Sequence, residues 1–174
     1  MKRVLRQFLG LSLVFVAVAL VAACGGPVIA EQQPTGGSPL EGTFIDAEGT
    51  TVDGASISAE RIGLYFSAIW CPPCRGFTPL LVDAYNELNA DGKKFEVIFV
   101  SADRDDEAMQ RYMVEYNMPW LAVPFDDDAR TALPSDHQVR GIPRLVILDG
   151  EGNVVAQNAV SAVRTRGAAA FADW

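Results

Sequence analysis

Apolar residues recur along this chain at two spacings, which predict strands and helices in turn. Short apolar runs at Ile62–Phe66 and Phe95–Val100 are typical of buried strands. Each run is followed by apolar residues at helical spacing: first Phe77, Leu80, Leu81, Ala84, Tyr85 and Leu88, then Met109, Tyr112, Met113 and Tyr116. Strands that alternate with helices predict an α/β protein with a central mixed sheet flanked by helices.

Shorter patterns predict the remaining elements. They are a hairpin of Thr43–Asp46 and Thr50–Val52, an extended segment at Trp120–Phe125, a second hairpin of Arg144–Leu148 and Asn153–Ala156, and a closing helix at Arg164–Trp174. Pro79 lies inside the first predicted helix. A proline there lacks the amide hydrogen that the helix needs, so we expect a kink at this residue.

The first 23 residues have the layout of an export signal. Lys2, Arg3 and Arg6 precede the uncharged, mostly apolar run Phe8–Ala23, which is shorter than the roughly 20 residues that a membrane span needs. The run ends in Val-Ala-Ala-Cys24, which resembles the lipobox of bacterial lipoproteins, whose cysteine is lipidated and becomes the new N-terminus. An ordinary cleaved signal peptide and an uncleaved anchor are the alternatives.

The leader divides the chain into three predicted regions. Residues 1–23 form the lipoprotein signal peptide, residues 24–40 hold the lipidated Cys24 and a flexible tether rich in Gly, Pro and Gln, and residues 41–174 form the folded domain. We therefore expect a protein of the bacterial cell envelope, anchored by lipid and facing the periplasm or the exterior. Disulfides persist in such compartments.

The net charge of −8 becomes −11 once the three leader cations are removed. An acidic body argues against nucleic-acid binding and weakly favours basic partners. The sequence shows no basic cluster.

The predicted strand Ile62–Phe66 is followed closely by the run Trp70-Cys71-Pro72-Pro73-Cys74-Arg75. The first cysteine therefore lies where a strand ends and a helix begins. Thiolate is the reactive form of cysteine, and the positive end of a helix favours an anion, so we expect a lowered pKa for Cys71. Cys74 lies one turn later, where it can attack a mixed disulfide formed at Cys71, and we expect it to be the more covered of the two. This pattern predicts a dithiol–disulfide exchanger.

Two alternatives use the same cysteines without redox exchange. A structural disulfide usually joins segments that are distant in sequence, because closing a longer loop stabilises more. A zinc site would need Cys71, Cys74, His137 and a carboxylate, which is an uncommon ligand set for structural zinc. We expect His137 to be a surface residue, and the acidic run Asp126–Asp128 to be a solvated helix start rather than a metal site.

Three segments together resemble the thioredoxin superfamily, and within it the tryparedoxin/nucleoredoxin branch. They are Gly63–Ala68 before the motif, Cys71–Pro79 across it, and Met118–Phe125 far from the cysteines; Gly141-Ile142-Pro143 before a strand matches the superfamily more generally. The resemblance spans residues 63–149. It implies a thioredoxin-like fold, and thiol–disulfide oxidoreductase activity that needs no cofactor or metal beyond the redox-active Cys71–Cys74 disulfide.

The resemblance also implies roles for individual residues. The Ile142–Pro143 bond is expected to be cis and to face the cysteines, with Trp70, Pro72, Pro73, Ile142 and Pro143 forming the substrate-binding positions. Arg144 stands where the family commonly has threonine. A cation there could stabilise a thiolate, recruit acidic partners or simply point to solvent, and the sequence does not choose among these.

The sequence thus predicts an exported, membrane-tethered thiol–disulfide oxidoreductase, in which Cys71 attacks protein disulfides and Cys74 resolves the mixed disulfide. Reduction is the expected direction, with a membrane-embedded thiol reductase as the electron donor. The alternative is a tethered binding or holdase module with an inert structural disulfide. A peroxidase is disfavoured, because the chain has no separate peroxidatic cysteine.

Overall fold

A computed structural model of the chain describes residues 40–92 and 94–174. The predicted signal peptide, the lipidated Cys24 and the tether up to residue 39 lie outside the described residues.

The described residues form seven strands and five α-helices in the alternating order that the sequence predicts. The strands are β1 (Thr43–Ile45), β2 (Thr51–Asp53), β3 (Arg61–Ser67), β4 (Phe95–Ser101), β5 (Leu121–Ala122), β6 (Arg144–Asp149) and β7 (Val154–Ala156). The α-helices are α1 (Pro72–Arg75), α2 (Thr78–Leu88), α3 (Asp106–Glu115), α4 (Ala129–Asp136) and α5 (Val160–Arg166), and 3-10 turns cover Gly54–Ser56 and Gly167–Asp173.

All seven strands join one mixed sheet in the order β2-β1-β5-β4-β3-β6-β7. Strands β3, β4 and β5 are parallel to one another, whereas β1 and β6 run antiparallel to β5 and β3. The predicted hairpins are confirmed as β1–β2 and β6–β7, and β7 starts one residue later than expected. The central position of β3 and β4 places their carboxyl ends side by side at one edge of the sheet.

Both faces of the sheet are covered, which explains the nearly continuous apolar character of β3 and β4. Ile62, Leu64 and Phe66 of β3 belong to a core on one face, which Leu133 of α4 also contacts. Tyr65 faces the larger core on the other side, which is built with residues of α2, α3 and α5.

The helix after the cysteine motif differs from the prediction of one kinked helix. It divides at Gly76 and Phe77, two to three residues before Pro79, so that Pro79 lies in the first turn of α2. A proline is tolerated in a first turn because the missing amide hydrogen would have no helical partner there. Leu80, predicted to be buried, is exposed, and Thr78 is buried instead.

The C-terminal helix also differs from the prediction. It begins at Val160 rather than Arg164 and ends at Arg166, and the next residue, Gly167, has a positive φ of 57°, which glycine adopts readily. A 3-10 turn follows to Asp173, and the Arg166 guanidinium pairs with the Asp173 carboxylate across it.

The segment Trp120–Phe125 contributes only the two residues of β5 to the sheet. Pro119 and Pro124 flank this strand, and neither can donate a ladder hydrogen bond. None of the helices within residues 40–92 and 94–174 combines the length and apolar character needed to cross a membrane.

Candidate active site

The two motif cysteines form a disulfide at the carboxyl ends of the parallel strands β3 and β4. Ser67 ends β3, and Cys71 begins α1 as its N-terminal cap. In open α/β sheets, ligands bind at the carboxyl ends of the strands. The position of the disulfide in the fold is therefore that of a functional site.

The residues that precede β6 cover one side of the disulfide. Cys71 is 4% exposed and Cys74 is completely buried, which confirms that the second cysteine is the more covered. The Cys71 Sγ lies 3.9 Å from the carbonyl oxygen of Ile142. The Ile142–Pro143 peptide bond is cis, as the resemblance implies. Ile142 also packs against Ala68 and both cysteines, so it closes one wall of the site.

Helix α1 offers Cys71 fewer amide donors than the sequence argument assumes. It has only four residues, and the first two, Pro72 and Pro73, have no amide hydrogen. The next two amides, of Cys74 and Arg75, both donate to the Cys71 carbonyl oxygen at 3.1 Å. The lowered pKa of the Cys71 thiol therefore stays a prediction.

Trp70 directly precedes Cys71 and is 53% exposed. Its indole Nε1 donates to the Ala102 carbonyl oxygen at 3.1 Å, which fixes the ring against the end of β4. The preceding amide, of Ile69, donates to the buried Asp103 carboxylate at 2.9 Å, and Ser101 Oγ donates to its other oxygen. Burial raises the pKa of Asp103 against these hydrogen bonds, which lower it. Two side-chain contacts thus hold the residues that lead into Cys71.

A recess of about 260 Å³ opens beside Trp70, on the α3 side of the ring. It is lined by Ile69, Trp70, Arg104, Asp105, Ala108 and Arg111. The exposed indole therefore has room beside it for part of a bound partner.

A cluster of buried hydroxyl groups lies beneath α1. Thr78 Oγ1 donates to the Cys74 carbonyl oxygen at 3.0 Å and lies 2.8 Å from Tyr65 Oη and 2.6 Å from Tyr112 Oη. Ser67 Oγ donates to Tyr65 Oη at 2.9 Å. Burial raises the pKa of both tyrosines, so both remain neutral phenols at physiological pH. The cluster ties the Cys74 backbone to β3 and α3 through neutral groups.

Arg164 reaches the motif from α5. Its Nη2 donates to the Pro73 carbonyl oxygen at 2.9 Å, and its guanidinium lies 5.3 Å from the centre of the Phe77 ring. The Pro73 carbonyl has no helical partner, because the Phe77 amide donates to Cys74 instead. Arg164 therefore satisfies the acceptor that the break between α1 and α2 leaves free.

The zinc alternative finds no support in the described residues. They contain no group of three or more His, Cys, Asp and Glu side chains that could hold a metal ion. His137 lies half-buried at the C-terminal end of α4, where burial lowers its pKa. Asp126–Asp128 are exposed at the start of the same helix, as the sequence predicts.

The fold brings most of the predicted site residues together and adds others. The disulfide lies close to the five predicted substrate-binding residues, Trp70, Pro72, Pro73, Ile142 and Pro143. Their roles in substrate binding stay a prediction. Cys24 lies outside the described residues. The sequence reasoning missed Thr78, Asp103 and Arg164. Ser101 and Asp103, polar residues at the carboxyl end of β4, are a signal that could have indicated Asp103. Arg164 lies 91 residues from the carbonyl it contacts and carries no such signal.

Comparison with known proteins gives the same fold. A family model described as Thioredoxin-like matches residues 60–154. The chain superposes on the crystal structure of thioredoxin from Wuchereria bancrofti with a TM-score of 0.70 and 35% identity, covering 75% of this chain and 91% of that one. Tryparedoxin II from C. fasciculata gives a TM-score of 0.65 and 34% identity, covering 74% of this chain and 84% of that one.

The chain is also similar in sequence to nucleoredoxins, which are longer proteins. The chain is 42% identical to nucleoredoxin of Bos taurus over 119 residues, which is 68% of this chain and 27% of that protein. It is 45% identical to probable nucleoredoxin 1 of Arabidopsis thaliana over 135 residues, which is 77% of this chain and 23% of that protein. The chain thus spans about a quarter of the length of these two relatives.

Proposed function

We infer that this chain, which belongs to the thioredoxin-like family, is a thiol–disulfide oxidoreductase that exchanges electrons with protein disulfides through Cys71 and Cys74. The observation that carries this function is the disulfide at the carboxyl ends of β3 and β4, which lies between the exposed Trp70 ring and the Ile142 carbonyl. It uses no cofactor other than the disulfide itself.

The reaction has two exchange steps. The Cys71 thiolate attacks one sulfur of the substrate disulfide, so a Cys71–substrate disulfide forms and the other substrate sulfur leaves as a thiolate. The Cys74 thiolate then attacks Cys71 Sγ, which forms the Cys71–Cys74 disulfide and releases the second substrate thiolate. The substrate gains two electrons, and a donor dithiol must return two electrons to the enzyme before the next cycle.

The surroundings of the disulfide support distinct roles for the two cysteines. Cys71 is the only one of the two with any exposed surface, and Trp70 and the recess beside it provide contact area for a partner. Cys74 is held from below by the Thr78 hydroxyl, which keeps its backbone in place while the bond to Cys71 opens and closes.

The reduction potential separates this function from an inert structural disulfide. An exchanger equilibrates with a glutathione redox buffer, and we expect a midpoint between about −270 and −120 mV. The ratio of reduced to oxidised protein, measured by thiol alkylation across buffers of known potential, gives this value. A disulfide that stays closed at potentials near −300 mV would support the holdase alternative instead.

The cellular setting is part of the proposal. Export and lipidation at Cys24 would place the domain outside the cytoplasmic membrane as a disulfide reductase, supplied with electrons by a membrane-embedded thiol reductase. The support is the leader sequence and its lipobox-like end.

A labelling experiment in intact cells tests this setting. We expect a membrane-impermeant maleimide to modify Cys71 in intact cells, because the donor keeps the pair reduced and Cys71 is the cysteine of the pair with exposed surface. We also expect Cys24→Ser to move the protein from the membrane pellet to the soluble fraction. Labelling only after lysis, or an unchanged pellet fraction, would contradict the export or the anchor respectively.

A further inference from the structure

Charge is distributed unevenly between the site and the rest of the chain. Three segments, residues 68–82, 137–148 and 152–172, contain none of the 22 Asp and Glu residues of the sequence. The same segments hold five arginines, namely Arg75, Arg140, Arg144, Arg164 and Arg166.

The fold brings these three segments together around the disulfide. The first segment meets the second where Cys71 Sγ lies 3.9 Å from the Ile142 carbonyl oxygen. It meets the third where Arg164 donates to the Pro73 carbonyl oxygen at 2.9 Å. Three acid-free segments that are separate in sequence therefore meet at the disulfide.

Four of the five arginines have no carboxylate partner within residues 40–92 and 94–174. We call them the arginine rim: Arg75, Arg140, Arg144 and Arg164. Three of them are exposed, and Arg144 is half-buried with its Nη1 donating to a backbone carbonyl oxygen. Arg166 is not part of the rim, because its charge is compensated by Asp173.

We propose that the arginine rim selects substrate proteins that carry Asp or Glu side chains next to the disulfide that is reduced. The proposal rests on the proposed function and names the substrate class of the same site. Unpaired cations around a reactive centre raise the local concentration of partners with the opposite charge. Such selection extends over about 8 Å at physiological ionic strength, so it acts on residues close to the substrate disulfide.

The rim reverses the preference that the net charge alone indicates. The acidic body repels acidic proteins, but at physiological ionic strength salt screens this repulsion beyond about 8 Å. At the contact itself the partner meets the arginine rim, and in the recess beside Trp70 it meets Arg104 and Arg111 together with a single carboxylate, that of Asp105. The rim also acts on the Cys71 thiolate, yet that effect changes the rate for every substrate alike. Dependence on the charge of the substrate is therefore the property that identifies selection.

Three disulfide peptides of equal length test the proposal. Each carries one intramolecular disulfide, flanked on both sides by Glu, Gln or Lys. The enzyme reduces the peptide disulfide and is itself oxidised, and dithiothreitol returns the electrons. We expect kcat/KM to fall in the order Glu, Gln, Lys, with about a tenfold difference between the Glu and Lys peptides at low salt. The difference shrinks in 0.5 M KCl, because salt screens exposed charges.

Charge variants locate the effect. Arg140 is exposed, and its guanidinium makes no hydrogen bond or ion pair in the described part of the chain, so Arg140→Gln removes a charge without removing a contact. We expect it to lower kcat/KM for the Glu peptide about twofold to threefold, and to raise it for the Lys peptide. Lys94→Gln is the matched control, because Lys94 is exposed just before β4, at the opposite end of the strand from the disulfide. It should change neither rate.

The outcomes distinguish a failure of the proposed substrate selection from a failure of the proposed oxidoreductase activity. Equal rates for the three peptides, or the same loss with Arg140→Gln and Lys94→Gln, would overturn the selection of acidic substrates and leave the oxidoreductase activity standing. Turnover of none of the peptides would overturn the proposed function, and the selection with it. Faster turnover of the Lys peptide would show that the net charge, rather than the arginine rim, decides.

Discussion

Cys71→Ser is expected to abolish disulfide reduction, and Cys74→Ser is expected to leave a protein that captures its substrate without releasing it. Serine at position 71 has no thiolate to attack a disulfide, so the rate falls at least about a hundredfold, to the background of the added dithiol. Serine at position 74 leaves the attacking thiolate in place and removes the resolving one. Insulin reduction with dithiothreitol measures the first effect, and a gel run without reducing agent detects the covalent complex of the second.

Cys24→Ser provides the control for both variants, since it removes the remaining cysteine of the chain, and purified Cys24→Ser protein should reduce insulin at the unchanged rate. The captured complex should be stable, because residues 40–92 and 94–174 contain no third cysteine that could resolve it in place of Cys74. Activity retained by Cys71→Ser would contradict the assignment of the nucleophile. A covalent complex with Cys71→Ser rather than Cys74→Ser would reverse the two roles.

The site could be predicted from sequence where one local pattern determined it. The strand before Trp70, the two-residue spacing of the cysteines and the apolar helix after them are all encoded within about 30 residues. Their outcome depends on short-range geometry, so β3, the disulfide and most of the buried face of α2 could be predicted, Leu80 and Thr78 being the exceptions.

The interruption between α1 and α2 was harder to place. Pro79 indicated a kink in the helix. The helix is instead interrupted two residues earlier, where the Phe77 amide donates to the Cys74 carbonyl oxygen. Tertiary contacts determine at which residue the helix is interrupted. Thr78 is drawn into the hydroxyl cluster, and Arg164 satisfies the Pro73 carbonyl from a distant helix. Contacts of this kind depend on the whole fold and leave no local pattern.

The charge of the site shows the same limit in another form. The sequence has an acidic net charge and no run of basic residues. The arginines of the rim are dispersed over about 90 residues, and the contacts among α1, α5 and the turn before β6 bring the segments that carry them together at the disulfide. Net charge is an argument about solubility and long-range association, whereas recognition depends on the charges that surround the reacting atoms.

Trp120→Ala is expected to have the largest effect on stability. The sequence marked Met118–Phe125 as a second segment of resemblance, far from the cysteines, and the structure shows what this tryptophan does. Trp120 is 1% exposed and packs edge-on against Tyr65, at 6.2 Å between ring centres, and against Tyr85, at 5.6 Å. Truncation removes both contacts and leaves a cavity behind the strand that leads to Cys71. A loss of about 3–5 kcal/mol in the free energy of unfolding is expected, which is a large share of the roughly 5–15 kcal/mol typical of a domain.

Trp120→Phe separates packing from polarity at the same position. The indole Nε1 is buried without a hydrogen-bond partner among the described residues, and a buried donor left unpaired costs about 1–3 kcal/mol. Phenylalanine loses part of the apolar contact but also removes that donor, so the two changes offset and the net loss should stay within about 1–2 kcal/mol. Urea unfolding of the oxidised proteins, compared at equal m-values, measures both variants. If Trp120→Phe destabilised as much as Trp120→Ala, the indole nitrogen would have to make a hydrogen bond in solution, and its contribution would be polar rather than steric.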